Sequence, residues 1–297
     1  MRNLRKRLNR PARIFAALGT ALVLVWLLFP AQAQYRGRRG GGGGGRNGIS
    51  SARMKEQERM EKAINPAFKE DVFTFARLRF ESDYGGYGGG VRVWNDDTPE
   101  ADLNLIYRLF EATSFKIRPG FNFIDITTKE LAEYPFVYMA GAGRATLSEE
   151  EAAALRHYML NGGFMMVDDF WGDDEWEHFS EQLKLIFPDR APELMTLTNQ
   201  IFKTVYQFKK QPQIPSAFYG GGGPSYDYNH IYQRMNHDPH YFGMYDDKHR
   251  LVMLICHNNH YGDGWEHEGD DVTYFDLYSM PMAYPMLINI VTYAMSH

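Results

Sequence analysis

Two short stretches hold the residue types that do chemistry. Phe164-Met-Met-Val-Asp168-Asp169-Phe170-Trp171 runs from apolar residues straight into paired acids and an indole. Leu251-Val-Met-Leu-Ile255 leads through Cys256 into His257-Asn-Asn-His260-Tyr-Gly-Asp263-Gly-Trp265-Glu266. Two more polar clusters follow apolar runs: Glu81-Ser-Asp83-Tyr84 with the glycine loop to Gly90, and Gly141-Ala-Gly143-Arg144. Carboxylates and imidazoles serve general acid–base catalysis, and the same groups ligate metal ions. Indoles beside acids can stack on a sugar ring. The candidate ligand-binding set is Glu81, Tyr84, Asp168, Asp169, Trp171, His257, Asp263 and Trp265. Asp169 and His257 are the candidates for catalysis.

Each residue also has a plainer role. Neighbouring strand residues point to opposite faces, so Asp168 and Asp169 divide more naturally than they pair. One is expected to cap the next helix while the other faces a cleft. His257 and His260 are three apart, with Asp263, Glu266, His267 and Glu268 nearby, but no His-Glu-x-x-His pattern exists. Both are metal candidates by spacing alone, in what reads as a solvated acidic loop, so no metal and no cofactor is expected. His230, His237, His240 and His249 read as surface histidines. The glycine loop lacks the Lys-Ser/Thr of a phosphate loop and does not open a helix as a dinucleotide fingerprint does. Trp94, Trp171 and Trp265 each have core or rim packing as the competing fate. Cys256, the single cysteine, ends an apolar run and reads as a small buried hydrophobe.

Strands and helices must position these clusters. Phe73 to Phe80 alternates with period two and predicts a strand. Thr98-Pro99 predicts a helix start, with Leu103, Ile106, Tyr107 and Phe110 on one apolar face. Tyr134 to Ala140 predicts a second strand. Ser148-Glu-Glu-Glu151 is a capping box, stapled by Leu147 and Ala152, and Gly162 a left-handed stop. Phe164–Val167 and Leu251–His257 are further strands, and Val272–Tyr278 is a possible one. Helices are expected near 175–187 and, with Pro285 at its start, near 281–295. Residues 218–245, rich in Tyr, Gly and His, read as a long irregular excursion. Strands alternating with helices, several of them continuous apolar runs, predict α/β layers with a mostly parallel sheet. In such sheets ligands bind beyond the carboxyl ends of the strands, so the four clusters should share one rim.

The chain of 297 residues carries a formal net charge of −5. Residues 1–53 hold eleven of the 32 Lys and Arg and no acid, leaving 21 basic against 37 acidic residues beyond them. A body so acidic repels phosphate backbones, which argues against nucleic acid as a partner. Residues 1–33 read as a signal peptide: a basic start, the apolar run Ile14–Phe29, then Ala31-Gln-Ala33 as a cleavage pattern. If uncleaved, residues 14–29 would anchor the chain to the inner membrane; either way the body is expected in the periplasm or otherwise outside the cytoplasm. Residues 34–50 form a Gly/Arg-rich linker and 51–70 an N-terminal helix, ahead of one α/β domain at 71–297.

Ser-Glu-Glu-Glu-Ala-Ala-Ala-Leu-Arg-His-Tyr-Met-Leu-Asn-Gly-Gly-Phe-Met-Met-Val-Asp-Asp resembles the helix–Gly-Gly–strand unit of class I glutamine amidotransferase-like domains. With the stretch from Phe75 to Phe110, Val-Asp-Asp-Phe-Trp-Gly and the Asn-rich loop, residues 71 to 296 resemble the bacterial domain of unknown function 4159 family. The resemblance implies a flavodoxin-like three-layer sandwich and no assigned activity. The amidotransferase nucleophile sits in G-x-C-x-G. With Gly172 as the last glycine, Phe170 falls at the nucleophile and Asp168 at the first glycine, so a glutaminase triad is not expected. The expected function is a non-catalytic, exported binding or interaction module for a polar ligand or an envelope protein. The alternative is an Asp/His-based hydrolase, with or without a divalent metal.

Overall fold

The computed structural model describes residues 51–68, 71–82, 93–217, 238–268 and 272–297. The expected signal peptide, the linker, Tyr84 with its glycine loop, His230, His237 and most of the irregular excursion lie outside them. A mixed seven-stranded sheet carries the chain in the order β3-β1-β4-β6-β9-β8-β7. The strands are β1 (Phe73–Arg79), β3 (Ile117–Asp125), β4 (Phe136–Ala140), β6 (Phe164–Asp168), β7 (Glu193–Leu194), β8 (His240–Tyr245) and β9 (Leu251–His257). Five of them, β3, β1, β4, β6 and β9, run parallel, while β8 returns antiparallel beside β9. A separate two-stranded ribbon pairs β2 (Glu81–Ser82) with β5 (Ala145–Thr146).

Strand alternation builds two cores, one on each face. Phe136, Tyr138 and Ala140 of β4 face one core; Val137 and Met139 face the other. The N-terminal helix expected at 51–70 is α1 (Ser51–Ala63), shorter than read. Helix α2 (Glu100–Ala112) and the terminal helix α6 (Tyr284–Ser296) cover the first face. Helices α3 (Glu149–Leu160) and α4 (Gly172–Ile186) cover the second. Burial on both faces is why the central strands read as continuous apolar runs.

Several local expectations hold. Ser148 Oγ accepts from the Glu151 amide at 3.2 Å while Glu151 reaches back to the Ser148 amide at 2.9 Å. Gly162 adopts φ 113, the left-handed turn that ends α3 without a Cβ penalty. Pro285 sits in the first turn of α6, directly after the π-helical stretch that ends at Ala283.

Others need correction. Helix α2 begins at Glu100, and Thr98 bonds back to Asn95 instead of capping it. Its fully buried stripe is Ala101, Asp102, Leu105, Ile106 and Leu109; Leu103, Tyr107 and Phe110 are only half-buried. The possible strand at 272–278 is helical: Val272–Tyr274 leads into a π-helical stretch, Phe275–Ala283. Part of the supposed irregular excursion is β8, an edge-side strand paired along β9. Strand β3 was unread because Pro119 and Gly120 interrupt its apolar pattern.

One polar pair inside the core positions the site. Arg77 lies in the middle of β1 and Asp102 on α2, both buried, with Nε to Oδ1 at 2.6 Å. Burial pushes Asp102 up to about 6 even against the neighbouring guanidinium. Arg77 also donates to the carbonyl of Asp96 at 2.8 Å, fixing the backbone beside Asp97.

Candidate functional site

Strands β6 and β9 are parallel neighbours, so the turns leaving them rise from the same rim. The two turns then clasp. The Asp169 amide donates to the Asn259 carbonyl at 3.2 Å, and the Asn258 amide to the Phe170 carbonyl at 3.0 Å. Asn258 also accepts from the Gly172 amide at 2.9 Å. Asp169 and Asn258 both take φ 58, a left-handed conformation that Asp and Asn tolerate better than most residues. The turn after β4 joins the same rim, with the Gly141 amide donating to the Asp168 carbonyl at 3.0 Å.

The two aspartates do divide, in a different way from the expected one. Neither caps α4: the Trp171 amide at its start is satisfied by Glu175 at 2.7 Å. Asp168 is buried. Its Oδ2 accepts from Tyr138 Oη at 2.8 Å and from the amides of Tyr261 at 2.7 Å and Gly262 at 3.4 Å. It pins the start of helix α5 (Tyr261–Glu266), and burial raises it to about 7. Asp169 turns toward His260 and keeps 18 % of its side chain exposed.

His260 is the centre of the cluster. Its Nε2 lies 3.0 Å from Asp97 Oδ2, and its Nδ1 lies 3.1 Å from Asp263 Oδ2 and 3.5 Å from Asp169 Oδ1. Asp97 arrives from the segment before α2, at φ 62. It fits only because residue 262 is glycine: a Cβ there would lie 1.9 Å from Asp97 Oδ2. Asp263 accepts the Ala217 amide at 2.6 Å through Oδ2, and its Oδ1 lies 3.5 Å from His267 Nε2.

Electrostatics follow from that crowding. Burial works against a charged His260, but Asp169, Asp263 and Asp97 outweigh it and hold the ring well above its ordinary value. Burial raises Asp169 to about 8, helped by Asp97, Asp168 and Asp263. Burial opposes ionisation of Asp263 too, yet His260 holds it below the usual carboxylate range. Glu266 rises to about 7 by burial and neighbouring acids. Displaced values gathered in one place are a mark of functional sites. Two ligand sets, Asp97–His260–Asp263 and Asp263–Glu266–His267, each bring their donor atoms within 4.8 Å of one another.

A second feature opens beside the same turns. Asp173, Trp176, Asp238, His240, Phe242, His257 and Asn258 line a groove of about 420 Å³. Its floor is aromatic: Trp176 stacks on Phe242 at 4.3 Å, and His257 lies 5.2 Å from Trp176 and 5.9 Å from His240.

The family model described as Domain of unknown function (DUF4159) matches residues 74–295. The chain belongs to this family. No curated protein matches it.

Placed in this DUF4159 domain, the candidate residues separate clearly. Asp168, Asp169 and Asp263 gather at the rim as expected. Trp265 does not serve as a stacking platform: it is fully buried against Tyr138 and Tyr261. The loop read as solvated is buried from His257 through Trp265, because it docks under α2 through Asn104, which donates to the Trp265 carbonyl at 2.8 Å. His257 is not the imidazole facing Asp169; its Nε2 meets the Gly172 carbonyl at 3.0 Å, and His260 takes that place. Trp171 is half-buried at the head of α4, and Glu81 is exposed on the ribbon strand β2 rather than on the main sheet. Trp94 packs edge-on against Phe123 at 5.1 Å. Asp97, Trp176, Phe242 and the role of His240 went unread. Asp97 directly precedes Thr98-Pro99, a signal that marks a turn and says nothing of what the turn approaches.

Proposed function

We propose that this DUF4159 domain is an exported, non-glutaminase binding module that holds an oligosaccharide of the cell envelope. The scaffold in this reading is flavodoxin-like and amidotransferase-like: two helical layers around a mostly parallel sheet, with a sharp turn after β6. The residue at that turn with left-handed backbone is Asp169, and Phe170 beside it is fully buried. Cys256 lies fully buried within β9, and burial raises its thiol well above the ordinary value, so it has no thiolate to attack an amide. Export is supported by the basic start, the apolar run Ile14–Phe29 and the Ala-x-Ala pattern. Among the described residues no helix is long and apolar enough to cross a membrane.

The observation that carries the ligand class is the groove. Trp176 and Phe242, stacked on each other and both half-buried, leave their outward apolar surface for the C–H face of a sugar, while the carboxylates of Asp173 and Asp238 offer acceptors for hydroxyls and Asn258 its second amide hydrogen. The hydrolase alternative that pairs Asp169 with His257 has less support, since His257 is engaged by Gly172 and the rings around it.

Titrating soluble envelope oligosaccharides into the protein by calorimetry tests the reading. Wild type is expected to bind one class of fragment, and Trp176→Ala to weaken it about tenfold, a change of about 1.4 kcal/mol. Equal affinity in the variant, or no binding across the fragment panel, would overturn it.

A further inference from the structure

The aromatic groove beside the rim is lined by two carboxylates, Asp173 and Asp238, and by no Lys or Arg. We infer that the sugar it takes carries a free amine: a cationic hexosamine whose nitrogen bears no acetyl group. This rests on the reading of the groove as a sugar site and names the class of sugar.

Acids that hold the fold together have partners. Asp102 is paired to Arg77, Glu268 to Arg108 and Asp246 to Arg250. At the start of α4 itself, Glu175 pairs with Arg144 at 2.7 Å and accepts the Trp171 amide. Asp173, in the same first turn, is exposed, as is Asp238. Among the described residues no Lys or Arg pairs with either carboxylate.

One buried side chain fixes the backbone that carries both. Asn258 is 2 % exposed and lines the groove. Its Oδ1 accepts from the Gly172 amide, directly before Asp173, at 2.9 Å. Its Nδ2 donates to the Asp238 carbonyl at 2.9 Å. Carboxylates on so fixed a frame offer charge-assisted acceptors for the three N–H donors of an ammonium group.

Rings supply the second attraction. Trp176 and Phe242 are 4.3 Å apart, and His257 is 5.2 Å from Trp176. His240 lies 5.9 Å from His257 and 6.2 Å from Phe242, which joins all four rings into one aromatic floor. A cation is drawn to the electron-rich face of an aromatic ring, most strongly to an indole. A neutral sugar gains only the packing of its C–H face, whereas an amino sugar adds attraction from rings and carboxylates together. A phosphate or carboxylate on the ligand meets two like charges and no Lys or Arg to receive it. The body works in the same direction: beyond residue 53 it holds 37 acidic against 21 basic residues, a field that draws cations in.

Calorimetry of the full chain with two sugars of equal length tests this: the tetramer of glucosamine and its fully N-acetylated counterpart, at neutral pH and low salt. The amine form is expected to bind about tenfold tighter. The gap is expected to shrink in about 1 M salt, where exposed charges are screened beyond about 3 Å. Asp173→Asn and Asp238→Asn, which leave the backbone bonds to Asn258 in place, are each expected to reduce the preference and together to abolish it. Circular dichroism checks that they fold. Tetralysine, a cation without a sugar, is expected to bind more weakly than the amine sugar. Equal affinity for the two sugars, both weakened by Trp176→Ala, leaves the sugar site standing and overturns the amine. A preference undiminished in the folded double variant, or tetralysine binding as tightly as the amine sugar, overturns it too. No binding of either sugar overturns it as well, and the sugar site falls with it if the whole fragment panel also fails.

Discussion

At the scale of single residues, the site depends on what a residue lacks as much as on what it carries. Gly262 leaves room for the Asp97 carboxylate, and any side chain there must push Asp97 off His260. Gly262→Ala is therefore expected to destabilise the domain by about 1–3 kcal/mol through overpacking. Urea unfolding reads the loss, and an unchanged midpoint would contradict it. Of the chemical residues, Asp168, Asp169, Asp263 and both histidines were legible from their place after apolar runs. Which histidine faces Asp169 was not. His257 and His260 differ by three positions, and only the path of the turn through the left-handed Asn258 decides which ring points inward. Trp265 was a platform candidate and Trp176 was not, for a similar reason. Both are indoles among acids, and burial is set by the packing partner: α2 and Tyr138 over Trp265, a groove over Trp176.

At the scale of elements, local chemistry was readable wherever it is local. The capping box at Ser148 closes as its spacing requires, so Ser148→Ala is expected to cost about 1 kcal/mol in thermal or urea unfolding while leaving every ligand affinity unchanged. Helix α3, the Gly162 stop and strands β4, β6 and β9 follow directly from such signals. The errors fall where context overrides pattern. Val272-Thr-Tyr-Phe has β-branched and aromatic residues favoured in strands, yet it opens the helical run that packs beside α6. Strand β8 hides among Tyr, His and Gly because it borrows its stability from pairing along β9, with Met244 and Tyr241 turned into the cores.

At the scale of the whole molecule, parallel direction does the gathering. Because β1, β4, β6 and β9 run the same way, residues as far apart in sequence as Asp97, Asp169 and Asp263 meet at one edge around His260. That convergence was legible from the alternation of apolar strands with helices. The contribution of Asp97 was not, because it comes from the segment before α2 and reaches the rim through Arg77, a charged residue buried in the middle of a strand. The account stands on the segments after β6 and β9 forming one site, and a crystal soaked with the envelope fragment that binds tightest tests it most directly. The sugar is expected in the groove, against Trp176 from the helix after β6 and Asn258 from the turn after β9. A sugar bound away from that groove, or touching residues of only one segment, would contradict it.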